Sequence, residues 1–480
     1  MKSTKKVLAA MCALTFCMSA VACGDDASSG AGTTTTTGTT APPKELNSEA
    51  KEQVKNAADL LKDRNLENKT IKFFSHWPIN PSDGAVVGAD IQMFRDKYQG
   101  VIEDINVGWN DRYQNLGKLV ASGQSPDFFS AMDMDGFPKG AVLEMFQPID
   151  DYIDVNGDLW KSAKEVNDKF QYKNKHYVAA IGAEPDVICI YNTKNIKNAG
   201  LDDPYELYKK DEWTFSKFAE MCKAFTNQDE EKVGVDGWWY EKGLLHQCGL
   251  PIISLDPSGK ATCNVKDPMM LKQADHMKEL GDSKVMFPNG VRGGENNENG
   301  QRGLGEGKTL FWPCGMWGIE GTAESKADMG DIAAGELAMA PMPRMDESDT
   351  YYCTSRVNGF FLVKGAPNPE CWAAFMDCRM VSKDKLDSVY EDTLREYGWS
   401  DLMIEQRRAV FKVCQEHPIF EFSGSISAEL STYWDDGEHG CNFERWTMNR
   451  WGDPTSLGTM IEEHFNEVQA LLDEFNAKIG

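Results

Sequence analysis

Positive charge is what this chain has too little of. Over 480 residues, 50 Lys plus Arg face 75 Asp plus Glu, a formal net charge of -25. Such a surface repels a phosphate backbone, so nucleic acid is excluded as an expected partner. Long apolar runs are scarce as well: beyond Val7 to Ala22, no stretch approaches the roughly 18 consecutive apolar residues that a spanning helix needs. The 13 cysteines form no CxxC pair and no His/Cys cluster, so no metal site is expected from them. What remains suits a soluble globular chain. With 41% hydrophobic and 10% aromatic residues a sizeable core can form, and the length leaves room for two to four domains of about 100 to 200 residues. Thirteen tryptophans nearly equal the 14 tyrosines, and an indole has a large flat face, so the tryptophans are candidate ligand platforms.

The N-terminus reads as an address. Met1, Lys2, Ser3, Thr4, Lys5 and Lys6 precede the apolar run, which ends on Ala20, Val21 and Ala22 before Cys23. A charged start, a short apolar core and small residues before a cleavage point are the parts of a secretory signal, here residues 1–22. Cys23 after the small residues resembles the lipobox of bacterial lipoproteins, which implies a diacylated Cys23 as lipid anchor; an ordinary cleaved signal is the alternative. Two acyl chains suffice for stable anchoring. Residues 23–45 are rich in Gly, Ser and Thr and read as a flexible linker. The expected location is the extracellular face of the cell membrane, lipid-anchored, with no crossing of the bilayer. Export permits disulfides, but the cysteines after Cys23 are scattered from Cys189 to Cys441 and impose no pairing.

From Lys69 onward, strands and helices alternate. Lys69 to Trp77, Val101 to Trp109 and Asp127 to Met132 read as strands; Ala89 to Tyr98 and Tyr113 to Ala121 read as helices. This implies βαβ units and a largely parallel sheet, with ligands in the crevice beyond the carboxyl ends of the strands. Trp77, Trp109, Asp111, Asp133 and Asp135 each follow a strand and fall on that rim. Val187 to Tyr191 reads as a further strand, Thr214 to Phe225 and Met269 to Leu280 as helices, Gly290 to Gly300 as a surface loop, and Thr459 to Phe475 as a closing helix.

Several segments in order resemble the extracellular solute-binding proteins, family 1, of ABC importers. Ala121 to Asp127 is similar to the family's a-x-G-x-x-P-D, Phe146 to Tyr152 to its L-D-D-Y ending, and Tyr172 to Val178 to its Y-x-G-K-x-Y. Ile190 to Lys194 with Ala199 to Leu201 resembles Y-N-K followed by A-G-L. Trp213, Thr214 and Phe215 resemble T-W-d-E-F with Thr and Trp transposed. The sharpest match is Gly307, Lys308 and Thr309 followed by Gly315, Met316 and Trp317, at the spacing of F-x-x-G-K-x-A-M-x-x-x-G-x-W. Ala340 to Pro343, Asn358 and Gly359 follow the closing pattern. The resemblance implies an α/β, periplasmic-binding-protein-like fold of two doubly wound lobes joined by hinge strands. Its expected division is 46–185 in lobe 1, 186–340 in lobe 2, 341–385 back in lobe 1, and 386–480 a mostly helical return to lobe 2. It further implies a monomer that takes a sugar and hands it to permease subunits, with no cofactor and no catalysis.

The resemblance puts Trp317 in the cleft with its face against a sugar, and Trp446 near a further aromatic of the second lobe; a core position is the competing reading of each. Trp238 and Trp239 precede Tyr240, and one of them is expected to face the cleft. A carboxylate accepts from two sugar hydroxyls and Arg donates in a fixed fork, which adds Glu184, Arg356 and Asn358 at the crossovers to the rim acids. Two motifs resemble chemistry and fall short. Gly303 to Thr309 lacks the first glycine of a P-loop, which would stand at Arg302. Asp154, Asn156, Asp158 and Glu165 have the spacing of a Ca²⁺ loop, but Leu159 replaces its obligatory glycine. The leading expectation is therefore an extracellular substrate-binding lipoprotein of an ABC importer that takes a mono- or oligosaccharide. The alternatives are the same fold with a peptide, polyamine or metal chelate, and a surface glycoside hydrolase with paired carboxyls.

Overall fold

The structure is a computed structural model and describes residues 42–82, 84–237, 239–286, 298–433 and 456–479. The signal segment, Cys23, most of the linker, Trp238 and Trp446 lie outside the described residues.

The first sheet opens with β1 (Thr70–Ser75), β2 (Val101–Asn106) and β3 (Phe128–Ser130), parallel and in the order β2, β1, β3. Helices Ala89–Tyr98 and Arg112–Ala121 connect them. Going outward to β2 and then back past β1 places the two helices on opposite faces. Ile71 and Phe73 accordingly pack with Phe94 of the first helix, and Phe74 and Phe129 with Leu116 of the second. Strand β4 (Val178–Pro185) then passes through Asp186 and Val187 into β5 (Ile188–Asn192), which lies in a second sheet.

The second sheet adds β6 (Val233–Val235), β7 (Thr309–Cys314) and β8 (Leu337–Ala340), in the order β8, β5, β7, β6. The chain returns to the first sheet as β9 (Cys353–Leu362), antiparallel to β3 and β4 and parallel to β10 (Pro418–Phe420). A parallel arrangement holds for β1 to β3 but not for the second sheet, where β7 and β8 run antiparallel to β5. The reason is directional: β5 enters this sheet from the crossover, whereas β8 must lead back to it. Strands β6 and β7 run the same way as each other, so the residues that follow them are delivered to the junction of the sheets.

Each sheet is covered on both faces, as two α/β lobes require. Helix Pro369–Lys385 joins Ala89–Tyr98 on the first sheet, packing Trp372 and Phe375 against Phe360 and Leu362. Helices Asp387–Glu396 and Asp401–Glu416 cover Ile188, Ile190 and Trp312 of the second. The closing helix, Leu457–Ile479, and Pro268–Asp282 pack on the other side. Among the described residues no helix is long and apolar enough to cross a membrane. The nine described cysteines are free thiols.

Much of the recurring sequence pattern is structural. Asp127 is fully buried and accepts from Lys72 N at 2.8 Å and Asn368 N at 2.7 Å, tying β1, β3 and the helix start at Pro369 together. Trp213, also fully buried, donates its indole N–H to Pro341 O at 2.9 Å, joining two of the matched segments. Asp127→Asn replaces one of two acceptors by an N–H that faces a buried donor, so it is expected to cost roughly 1–3 kcal/mol. A thermal unfolding transition unchanged from wild type would contradict this. Gly303 to Thr309 leads from helix Glu298–Gly305 into β7, the reverse of the strand-to-helix order of a P-loop, and the helix takes the end of the expected 290–300 loop.

Candidate functional site

The strand ends of both sheets meet in one crevice. After β1 comes His76, after β2 Trp109, and after β3 Asp133 and Asp135. Arg112, at the start of its helix, holds them together: its guanidinium carbon lies 3.5 Å from the Trp109 ring centroid, it donates to Trp109 O at 2.5 Å, and it pairs with Asp135. Tyr113 donates its hydroxyl to the other Asp135 oxygen. The His76 ring meets Trp109 edge-on at 4.6 Å, and His76 Nδ1 is 3.7 Å from Asp133 Oδ2. That Oδ2 is buried without a hydrogen-bond partner.

The opposite wall is built around Asp186 at the crossover. Lys242 lies 3.6 Å from its carboxylate and 5.3 Å from the Trp239 ring centroid. Trp317 follows β7 and crowds the same point. A Cβ added to Gly315 would fall 2.3 Å from Trp317 Nε1 and 3.2 Å from Asp186 O. Nine tryptophans are described. Trp160, Trp213, Trp312, Trp372 and Trp399 are core and Trp77 is half-buried, leaving Trp109, Trp239 and Trp317 exposed at 48%, 38% and 40%. Trp109 stands in the Arg112–Asp135 cluster, and Trp239 and Trp317 stand at the Asp186 crossover; the Asp186 charge acts on Asp133 between the two groups.

Electrostatics single out Asp133. Burial, then the neighbouring Asp135 charge, push its carboxyl up to about 7, against the opposing pull of Arg112 and Arg356. His76 is pushed down to about 4, first by burial and then by Arg112, so the ring is neutral at neutral pH. The crevice thus offers a carboxyl poised between donor and acceptor in Asp133, the carboxylate of Asp135 bonded to Arg112 and Tyr113, that of Asp186 facing Lys242, and three aromatic faces. Among the described residues no group of His, Cys, Asp and Glu is arranged to hold a metal ion.

The residues singled out from sequence divide into sets. Trp109, Asp133, Asp135, Trp239 and Trp317 come together here. Trp77 follows β1 but turns inward, edge-on to Phe73 at 4.9 Å. Asp111 is exposed at the N-cap of its helix and makes no capping bond. Glu184, Arg356 and Asn358 are bonded to one another, Glu184 accepting from Arg356 at 3.1 Å and from Asn358 at 2.6 Å, and Arg356 is close enough to act on Asp133 and Asp186. A bulge explains this, because Ile181 is an extra residue in β4 opposite Asn358 and Gly359. Beyond the bulge, Glu184 faces away from the side that holds Val178 and Ala180. Sequence reasoning passed over Arg112, Asp186 and Lys242. The strand-end rule that picked Asp133 also reaches Asp186, one residue past β4; Arg112 and Lys242 carry no local signal.

Gly315 yields a direct prediction. Gly315→Ala forces the Trp317 indole to move, since the clash is with a rotatable, exposed ring, and affinity for a solute held against that ring should fall several-fold with little loss of stability. Unchanged affinity by calorimetry would show that the ring position is immaterial.

The profile of the family described as bacterial extracellular solute-binding protein matches residues 85–378. No curated protein sequence matches. Solved structures do. An ABC substrate-binding protein from Listeria monocytogenes in complex with cycloalternan is 16% identical, with TM-score 0.58 over 86% of this chain and 100% of that one. The cyclic alpha-maltosyl-1,6-maltose binding protein from Arthrobacter globiformis is 14% identical, with TM-score 0.59 over 84% and 99%. The galacto-N-biose/lacto-N-biose I-binding protein of a Bifidobacterium longum ABC transporter, in complex with lacto-N-biose, is 13% identical, with TM-score 0.58 over 85% and 97%. At these identities the likeness is one of fold.

Proposed function

Because the chain belongs to the bacterial extracellular solute-binding protein family, we propose that its solute is a carbohydrate, held in the crevice between the lobes and delivered to the permease of an ABC importer. The observation that carries this is that each of the three exposed tryptophans among the described residues stands beside charged groups, Trp109 with Arg112, and Trp239 and Trp317 at Lys242 and Asp186. A pyranose has a C–H face that packs on an indole and hydroxyls that need directional polar partners, and Trp109, Trp239, Trp317, Asp133, Asp135, Asp186 and Arg112 supply both kinds of surface. Solved structures of the same fold are described in complex with cycloalternan and lacto-N-biose, and another is named a cyclic alpha-maltosyl-1,6-maltose binding protein, which supports the same class of solute.

A ligand touching both walls binds the closed form best, so it shifts the population toward closure, and closure is what a permease can read. No bond is broken and no nucleophile is needed. The mature chain acts as a monomer held at the cell surface by a lipid on Cys23. Isothermal calorimetry of the mature chain against mono- and oligosaccharides tests the reading, with an affinity near micromolar, about -8 kcal/mol, expected for at least one. Binding of a peptide or polyamine but of no sugar would overturn it, and so would release of reducing ends from an oligosaccharide. Globomycin-sensitive processing and loss of membrane attachment in Cys23→Ala test the anchor.

A further inference from the structure

Two thiols meet where the chain crosses between the sheets. Cys353 opens β9, and the carbonyl of the next residue, Thr354, accepts from Asp186 N at 2.9 Å and Val187 N at 3.4 Å, the two residues between β4 and β5. Cys414 stands in the last turn of helix Asp401–Glu416, which covers the second sheet. The two elements are already joined, because Cys353 N donates to His417 O at 3.0 Å, directly after that helix.

The side chains meet as well. Cys353 and Cys414 pack with Val413 in one small apolar cluster, flanked by Ala183, Tyr208 and Tyr351, and the Cys414 thiol is within hydrogen-bond reach of the Cys353 thiol. Ser355, two residues along the same face of β9, borders the contact: its Oγ is 3.3 Å from Cys414 Sγ and donates to Cys353 O at 2.8 Å. A disulfide is about 2.05 Å long, and two thiols already in contact approach it by small rotations of their short side chains. By contrast, Cys371 and Cys378 lie two turns apart on one helix, roughly 10 Å, beyond the reach of a disulfide.

We propose that Cys353 and Cys414 form a disulfide in the exported protein, a covalent staple between β9 at the crossover and the helix that covers the second sheet. An extracellular chain meets an oxidising environment, in which such bonds persist. The oxidant is a low-molecular-weight disulfide. Cys353, the more accessible of the two at 5% exposure, attacks it as the thiolate and releases one small thiol; Cys414 then displaces the second from the mixed disulfide. One S–S bond breaks and one forms, and the two protons of the protein thiols end on the two small thiols released. Burial, then the bond to Cys353, raises the Cys414 thiol well above its ordinary range, so the folded protein exchanges slowly and the bond forms while the chain folds. It closes a loop of roughly 60 residues, long enough for a cross-link to restrict the unfolded chain appreciably.

The test begins with the mature chain, reduced and unfolded, then refolded in a mixture of oxidised and reduced glutathione, alkylated, and digested without reduction. Trypsin with a glutamyl endopeptidase cuts after Glu416 and so separates Cys414 from Cys441; a linked peptide pair carrying Cys353 and Cys414 is expected. Reduction should then lower the unfolding temperature of the wild-type chain by roughly 3–5 °C and leave that of Cys353→Ala unmoved. Alkylation of both cysteines in the refolded chain overturns the proposal, as does linkage of either one to a different cysteine. A wild-type transition unmoved by reduction, or an equal fall in wild type and variant, overturns the staple. Peptide mapping needs only the wild-type chain, so it decides even where the variant does not fold. Failure of every sugar to bind would leave this result standing.

Discussion

Trp317→Ala is expected to weaken sugar binding by about 50- to 100-fold while leaving the fold intact. The indole is 40% exposed, so on the order of 100 Å² of apolar face is available to a ligand. At about 25 cal/mol per Å², covering it contributes roughly 2.5 kcal/mol, close to two decades in Kd. Stability should barely change, because the exposed ring leaves no cavity behind, in contrast to the buried Trp312 five residues earlier. Calorimetry with the best sugar found for wild type gives the affinity, and thermal unfolding gives the stability. An affinity within twofold of wild type would remove Trp317 from the site, and the argument from exposed indoles would go with it.

Asp133→Asn is expected to do two opposite things, both dependent on pH. The Asp133 carboxyl titrates near 7 in the folded protein against an ordinary 3.8. A raised carboxyl pKa means that the native state binds the extra proton, so the associated stability is present below about 3.8 and is lost as pH rises through 7. Each pKa unit corresponds to about 1.4 kcal/mol, so the buried anion costs a few kcal/mol at pH 8. Asparagine removes that cost. The variant should therefore unfold a few degrees above wild type at pH 8, with a smaller gain at pH 5. His76 shifts the opposite way, losing stability as pH falls from 6.5 toward 4, but it does so in both proteins and cancels from the comparison.

Binding moves the other way. Sugar hydroxyls that donate to Asp133 favour its charged form, so wild-type affinity should rise from pH 5 to pH 8, tenfold for each unit by which the ligand lowers the pKa. The asparagine variant should bind more weakly and show a flat profile over that range. A pH profile shared by wild type and Asp133→Asn would mean that some other group titrates. A sensitivity of this kind is what a site built for ligand rather than for stability shows: a carboxyl kept buried, next to a second carboxyl, with one oxygen left unbonded.

The elements were legible because their patterns are local. Helix Ala89–Tyr98 spans the residues its periodicity indicates, and β1 to β3 begin and end within a few residues of the apolar runs that announce them. Strand ends then gave Trp109, Asp133 and Asp135 for the crevice, because a parallel sheet must present the residues after its strands on one rim. The same rule misdirected for Trp77, since whether a residue after a strand turns out or in depends on the ring it finds to pack on, here Phe73. For Glu184 one extra residue in β4 reverses which face it occupies, and a bulge leaves no mark in the hydrophobic pattern.

By itself, then, the amino-acid sequence determined the α/β alternation and the tryptophan and carboxyl types from which a site can be made, while the two lobes were implied by its resemblance to a family. Tertiary structure alone decided which of these meet. It brought Arg112 over Trp109 and set Lys242 between Asp186 and Trp239. It sent five described tryptophans into the core and left three at the crevice. Local pattern reports the period of burial along one segment, whereas a binding site is a coincidence of segments far apart in the chain, fixed by sheet order, strand direction and the one-residue register of the crossover strands.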